Sequence, residues 1–520
     1  MLEQDLTTIA TPTAAESTSP RHAGLKVLLL LMITAFGFGL RVYKIDQPSM
    51  WVDELFSIKW SKAYVDGHVG ARPLAYLPTV IGLWTDGVDF DQLDQEKPEA
   101  WQSLGVTEYG ARMPSAIIGG LSLLILGFAV WRTFGATTAL ISMLLLAVAP
   151  WHLWSSQIAR FYALQFLFYN LCFVFYIDAT KNNRRESFFL VAICLIAAFA
   201  SQLTSLMILT IFGLDWLLNL RAKNSVRWGR WGWACLFIAT AVCMLWWFSD
   251  FILHTENTTK FKGNNQSVKA LLFGLPYMVG VPLAGFAIFS GFWLLKTNRR
   301  LAILLALGVI MPLCVMVSFK FIDYDVHIRY MMISLFSWLL LVTLGLIEVY
   351  RKLRPHVGTA LAIAPLIALL AASGLAVNAY YTGGKGYRPR WREAFSYVDQ
   401  HAKPGEMIYT RPQTTIIARY YLEHGNVAEW PWAWDGGYIT SKGKPAWAVF
   451  WADTPLGSFT RPKLETQAEL KKYYSTRILQ PASAIEVYWF DPSNQPELTQ
   501  GQNSDQDQKY EEVQVESRLY

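Results

Sequence analysis

Charged residues are scarce in this chain. Asp, Glu, Lys and Arg make up 16% of its 520 residues, while 53% are hydrophobic. That balance excludes an ordinary soluble domain, in which roughly a quarter of the residues are charged. Neither sign dominates, since the formal net charge is only +6. Lys and Arg bunch between apolar runs and form no single basic stripe, which argues against nucleic acid as a partner. Cysteine is rare too. Cys172, Cys194, Cys235, Cys243 and Cys314 all lie inside apolar runs at no metal-ligand spacing, which argues against a zinc site and a disulfide scaffold. The chain shows no internal repeat and no glycine-rich phosphate loop. No cleavable leader is expected: residues 1–20 are too long and too acidic for a signal peptide's basic region, and no convincing cleavage site follows.

What is present is a series of long apolar runs. The first, 25–40, reads as an uncleaved span, with Arg21 and Lys26 holding its start in the cytoplasm. Further candidate spans lie at 113–131, 135–150, 162–178, 187–203, 205–220, 233–249, 277–295, 301–319, 330–350 and 359–379. Each approaches the ~20 residues needed to cross a bilayer, which predicts a polytopic α-helical membrane protein of about eleven transmembrane helices. The 22 Trp and 24 Tyr fit many interface crossings. Arg132, the Lys181 to Arg185 cluster, the group Arg221, Lys223, Arg227 and Arg230, the pair Arg299 and Arg300, and the trio Arg351, Lys352 and Arg354 fall in alternate loops. The positive-inside rule makes those loops cytoplasmic, so the N-terminus is expected inside and the C-terminus outside.

The expected organisation is a cytoplasmic tail at 1–24 and a membrane domain at 25–379, with a long extracytoplasmic loop at 41–112. A C-terminal extracytoplasmic domain at 380–490 and a disordered tail at 491–520 follow. Helix candidates at 391–401 and 414–424, with strand candidates at 407–409, 446–451 and 484–490, predict a small α/β domain. Two Asn-x-Ser/Thr triplets, at Asn257 and Asn265, arise easily by chance.

The chemistry-bearing stretch is 48–57, where Asp53 and Glu54 stand side by side between Trp51 and Phe56. Carboxylates among interfacial aromatics lie at the bilayer edge, where one could serve as a base. The bland reading is that Asp53 caps a short amphipathic helix over 55–64. Three further features share the expected outer side: Arg72, Arg160 with Tyr162, and Arg329 with His327. A single arginine there is most often a snorkelling residue. Several together run against the positive-inside bias, and guanidinium matches the fork of a phosphate. The acidic stretch from Asp86 lacks the spacing and glycine of a calcium loop and reads as solvated. Asp215 reads as a buried or snorkelling residue near the cytoplasmic edge rather than a proton relay.

The motif residues resemble a known family. The order Ser49-x-Trp51-x-Asp53-Glu54, Arg72-Pro73-Leu74-x-Tyr76 and Glu108-x-x-x-Arg112-x-Pro114-Ser115 looks like the start of the GT-C membrane glycosyltransferases. It is closest to the dolichyl-phosphate-mannose protein mannosyltransferase-like group and its bacterial relatives acting on lipopolysaccharide or lipid A. The pattern Pro150-Trp-His152, Ser156-Gln157, Arg160-x-Tyr162-Ala163 and the later Arg329-Tyr330 are similar as well, so the resemblance covers roughly 25–379. It implies inverting transfer of a sugar from a polyprenyl-phosphate donor to a glycolipid, polysaccharide or protein acceptor on the extracytoplasmic face. On that resemblance Asp53 is the general base, and Glu54 orients it or helps bind a metal. Arg160 and Arg329 hold the lipid phosphate, with Arg72 and Tyr162 beside them. A divalent metal ion is the one cofactor left open. Where relatives commonly have His-Pro-Pro, this chain has Ala71-Arg72-Pro73 with His68 upstream, which removes the basis for a histidine role. A transporter or flippase of lipid-linked sugars is the rival reading; it would concentrate charge at the bilayer midplane and show inverted repeats. A non-catalytic membrane scaffold for the C-terminal domain is the third.

Overall fold

The computed structural model describes residues 20–68, 72–95, 97–182, 184–219, 230–253, 267–320, 326–382, 388–423, 426–429, 445–451, 468–474 and 484–491. Most of the N-terminal tail, the triplets at Asn257 and Asn265, the basic residues 221–227 and the tail beyond 491 lie outside the described residues.

Helix α1 (Pro20–Val42) is followed by α2 (Val52–Val65), α3 (Leu77–Thr85), α4 (Glu108–Phe134), α5 (Ala136–Ala147) and α6 (Pro150–Ser156). Next come α7 (Tyr162–Asn182), α8 (Arg185–Ser201), α9 (Met207–Asn219), α10 (Arg230–Leu253) and α11 (Val268–Val279). The apolar series ends with α12 (Val281–Thr297), α13 (Arg299–Lys320), α14 (Leu335–Ala362) and α15 (Ala364–Thr382). The remainder is α16 (Trp391–His401), β1 (Met407–Thr410), α17 (Pro412–Tyr421), β2 (Asn426–Glu429), β3 (Ala446–Trp451), β4 (Glu469–Tyr474) and β5 (Ile485–Phe490).

Each of the eleven expected apolar runs overlaps a helix. Six helices among the described residues are long and apolar enough to cross a membrane, or eight spans if each bent pair counts as one. The bent pairs are α5 with α6, at 68°, and α11 with α12, at 95°. Two of the expected runs depart from a straight, full-length span. The run at 277–295 breaks at Gly280, which has φ near +100°. The run at 205–220 yields the 13 residues of α9, which at 1.5 Å per residue reach only about 20 Å. Leu28, Met32 and Phe36 of α1 are exposed apolar side chains, as a lipid-facing helix surface requires.

The chain divides into two compact units. The first comprises Met1–Tyr43, Val69–Pro78 and Arg112–Asn378; the second comprises Lys44–His68, Thr79–Ala111 and Ala379–Tyr520.

In the first unit, buried polar groups are paired where helices meet. Arg41 of α1 donates to the carbonyls of Gly37, Leu146 and Ala147 at 2.6, 3.3 and 3.4 Å, and to Nδ1 of His152 at 2.5 Å. Those carbonyls include two in the last turn of α5, of which Leu146 also accepts the Ala149 N–H at 3.3 Å. The arginine therefore satisfies the bend between α5 and α6. With Nδ1 accepting, Nε2 of His152 carries the hydrogen that faces Ser122 Oγ at 3.3 Å. Gly119 belongs to the same junction, because a Cβ there would run into Ser156. Elsewhere, Asp178 accepts from Arg132, Ser187 and Asn182 at 3.1, 2.6 and 2.5 Å. Asp215 is buried as expected, with partners distant in sequence: Tyr176 donates at 2.7 Å and Arg300 at 2.9 Å.

The second unit contains a five-stranded sheet of order β2-β1-β3-β5-β4. β2, β1 and β3 are parallel, while β5 runs antiparallel to both β3 and β4. Ala446, Ala448 and Phe450 pack with Tyr409, Tyr488 and Phe490 in one cluster. Trp447 and Trp451, at the alternate positions, meet α16 through Tyr397 and Trp391, with ring centroids 6.2 and 5.2 Å apart. This period-2 division places α16 on one face of the sheet. The expected α16, β1, β3 and β5 are present, and α17 begins two residues before the expected 414. β2 and β4 are additional.

Candidate active site

The two carboxylates of the first loop open α2, in the second unit. Trp51 is the N-cap residue and makes no side-chain cap; Asp53 and Glu54 occupy the second and third helical positions. The bland reading of Asp53 as a helix cap therefore does not hold. Glu54 reaches back one turn and accepts the Trp51 backbone N–H at 3.0 Å, which is half of a capping box. Glu54 is fully buried and forms an ion pair with Arg388, itself only 2% exposed. Asp53 is half-buried, and its carbonyl accepts Ser57 Oγ at 3.1 Å. The two neighbours thus differ in role: Glu54 faces inward to an arginine, and Asp53 keeps part of its surface accessible.

The strand of chain leading into α2 is held by residues that sequence reasoning passed over. Arg392 donates to the carbonyls of Asp46 and Gln47 at 3.0 and 3.2 Å, and its backbone N–H donates to Ser49 Oγ at 3.1 Å. The Met50 N–H donates to the Tyr421 hydroxyl at 2.5 Å. That hydroxyl donates in turn to Glu108 at 2.9 Å, and Arg392 donates to the same carboxylate oxygen at 2.5 Å. Burial, with the Glu108 charge beside it, pushes the Tyr421 phenol well above its ordinary pKa, so it stays protonated and can donate. Glu108 belongs to the expected motif, but Arg388, Arg392 and Tyr421 do not. The alternation Arg388-x-Arg390-x-Arg392 after the linker was the one available sign of them.

His68 is exposed, and its backbone N–H closes α2 on the Ala63 carbonyl at 2.9 Å. The acidic stretch after α3 makes local turns: Asp89 accepts the Asp91 N–H at 3.0 Å, and Asp86 accepts Thr107 Oγ1 at 2.5 Å. Among the described residues, no three His, Cys, Asp or Glu side chains are gathered as ligands for a metal.

The remaining expected residues lie in the first unit, and three of its arginines are carried by elements tied to the first turns of α7. Arg160 ends the turn before α7; it is half-buried, its carbonyl accepts Ser115 Oγ at 3.3 Å, and its guanidinium lies 5.1 Å from the Phe161 ring. Tyr162, the first residue of α7, is fully buried against Trp154 and Phe161. Three residues on, Gln165 donates to Thr204 and Ser205 at 2.9 and 3.1 Å in the turn Leu203–Leu206. Gln202, just before that turn, accepts Arg72 at 3.2 Å, and Tyr76 also accepts Arg72 at 3.2 Å. Arg329 lies in the 3₁₀ turn Ile328–Ser334, which packs on α7; Phe336, just beyond it, meets Phe166 at 6.5 Å. His327 caps that turn by accepting the Arg329 N–H at 3.3 Å. Gln157 donates to the carbonyls of Arg41 and Tyr43, both at 2.9 Å, and so closes the end of α1. The Pro-Trp-His and Ser-Gln parts of the motif therefore brace helices, whereas Arg160 stands beyond them with surface exposed.

No protein-family model matches the chain, and no curated protein matches it in sequence. Solved structures do match in fold. ArnT from Cupriavidus metallidurans in the apo state superposes with a TM-score of 0.54 at 16% identity, covering 92% of this chain and 99% of that one. The same protein bound to undecaprenyl phosphate gives 0.51 at 14% identity, over 92% and 100% of the two chains. The archaeal oligosaccharyltransferase AglB from Archaeoglobus fulgidus, in complex with an inhibitory peptide and a dolichol-phosphate, gives 0.51 at 12% identity, over 92% and 76%. The chain accordingly has the GT-C membrane fold: a polytopic helical body together with a small α/β sheet domain.

Proposed function

We propose that this protein is a membrane glycosyltransferase that moves a sugar from a polyprenyl-phosphate donor to an acceptor hydroxyl on the extracytoplasmic face, with inversion. The observation that carries this reading is the division of labour at the start of α2. Of two adjacent carboxylates, Glu54 is committed to Arg388, and Asp53 remains partly accessible on a fixed helix turn. The reading is supported by the fold, which is shared with a protein seen bound to undecaprenyl phosphate.

In the proposed reaction, Asp53 takes the proton of the acceptor hydroxyl as its oxygen bonds to the anomeric carbon. The bond from that carbon to the phosphate oxygen breaks, and the phosphate leaves still attached to its lipid. Arg160 and Arg329 are assigned to the developing phosphate charge, since a guanidinium offers two parallel donors. The N-terminal end of α7 adds the positive end of a helix dipole, which favours an anion there. Arg72, held by Gln202 and Tyr76, is assigned to the same group. Tyr162 is buried and is assigned to packing beneath Arg160. Glu54 orients the turn that presents Asp53.

The test is a purified Asp53→Asn protein supplied with polyprenyl-phosphate sugar and acceptor. Loss of transfer by a folded protein is expected, and wild-type turnover would sink the reading. A flippase would move lipid-linked sugar across vesicles in the absence of acceptor, and the same substitution would leave that movement intact.

A further inference from the structure

We propose that the stretch from Arg388 to Tyr421 of the C-terminal domain is the positioning device for the first-loop base. Arg388, Arg392 and Tyr421 together fix the turn that carries Asp53. This inference rests on the reading of Asp53 as base, and it gives the α/β domain a part in catalysis.

The contacts fall on nearly every residue leading to Asp53. Arg392 holds the carbonyls of Asp46 and Gln47 and the Ser49 hydroxyl; Tyr421 holds the Met50 N–H. Arg388 holds Glu54, and Glu54 holds the Trp51 N–H. Asp53 lies inside this frame, one residue from Glu54. Trp51 offers no side-chain cap, so the cap at the helix start comes from Glu54. Arg392 and Tyr421 also converge on Glu108, so the ties form one connected network. Such networks over-determine the geometry of a side chain between them. A buried ion pair is a poor source of stability and a good source of a single fixed arrangement, which is what a base at the start of a short helix needs. Arg388, Arg392 and Tyr421 are positioning residues; they act through the backbone of residues 46–54.

The test measures amide hydrogen exchange over residues 50–57 and turnover, both in the full-length protein in detergent. Arg388→Met is expected to speed exchange in that segment and lower turnover ~10–100-fold, the usual scale for a catalytic group misplaced by about 1 Å. Binding of undecaprenyl phosphate per folded molecule should stay at the wild-type value. Arg388→Lys, which keeps the charge, should lose less than Arg388→Met. Should Arg388→Met fail to fold, Tyr421→Phe removes only a hydroxyl and carries the same expectation, with a smaller loss. Wild-type exchange at 50–57, or wild-type turnover, in folded Arg388→Met or Tyr421→Phe would overturn the proposal. So would a parallel loss of turnover and of undecaprenyl phosphate sites, which is the mark of general unfolding. Asp53→Asn is run alongside and should keep exchange slow while abolishing turnover. If Asp53→Asn turns over normally, the base assignment fails, and the exchange data alone decide whether this network fixes α2.

Discussion

Asp53 and Glu54 are the same chemistry one methylene apart, in different surroundings: Glu54 is fully buried against Arg388 and Asp53 is half-buried. A fully buried carboxylate with an arginine against it cannot readily exchange that partner for a substrate, because desolvation makes an unpaired charge expensive. Asp53→Asn is therefore expected to lower transfer by ~10²–10⁴ while leaving the thermal midpoint near wild type. At the second helical position a purely structural Asp53 would contribute only its charge at the helix N-terminus, worth about 0.3–1 kcal/mol, so its loss would move the thermal midpoint slightly and leave turnover unchanged. Turnover and thermal unfolding, measured on the same preparation, separate the two. The arginines allow a second residue-level test. Arg160→Lys and Arg329→Lys keep a positive charge and remove the fork, so each is expected to weaken donor use at least several-fold. Unchanged donor dependence in both variants would return them to snorkelling. Asp53 stood out in the sequence because two acids among aromatics are conspicuous. Arg388 did not, because its meaning depends on Glu54, which lies 334 positions away.

Helices α1 and α5 end where polar side chains reach their last carbonyls, and Gln157 is the clearer case. Its amide serves the Arg41 and Tyr43 carbonyls at the end of α1. Gln157→Ala would remove the donor these carbonyls share, so a loss of about 0.5–1.5 kcal/mol is expected, read as a lower thermal midpoint in detergent. A midpoint within error of wild type would show that other donors can replace the amide. The apolar helices were legible because each run declares itself by composition over its own length. Their bends were not. At the break between α5 and α6, where Pro150 opens the second helix, the Leu146 and Ala147 carbonyls accept from Arg41, more than a hundred residues upstream. In the sheet, β3 was legible from continuous apolar residues and β5 from an apolar run broken only by Glu486, as buried strands are. β4 at the edge, Glu469–Tyr474, alternates no apolar face and is mostly exposed, and β2 has only four residues. Strands held by a neighbour's backbone leave little mark in their own sequence.

At the scale of the whole molecule, the alternation of basic loops still gives the orientation to test. A reporter fused after Ala379 is expected to be active outside the cytoplasm, and one fused after Arg185 inside. Reversed activities would move every assigned residue to the wrong side of the membrane. The second compact unit takes Lys44–His68 and Thr79–Ala111 from near the start of the chain and the rest from its end. That discontinuity has a consequence for biogenesis. Synthesis runs from the N-terminus, so α2 leaves the ribosome long before Arg388, Arg392 and Tyr421 exist to hold it. These ties close over sequence separations of 334 to 371 residues, among the slowest contacts a chain can make. On the proposed reading, a chain that stalls before residue 421 would carry Asp53 without the ties from Arg388, Arg392 and Tyr421 that set it.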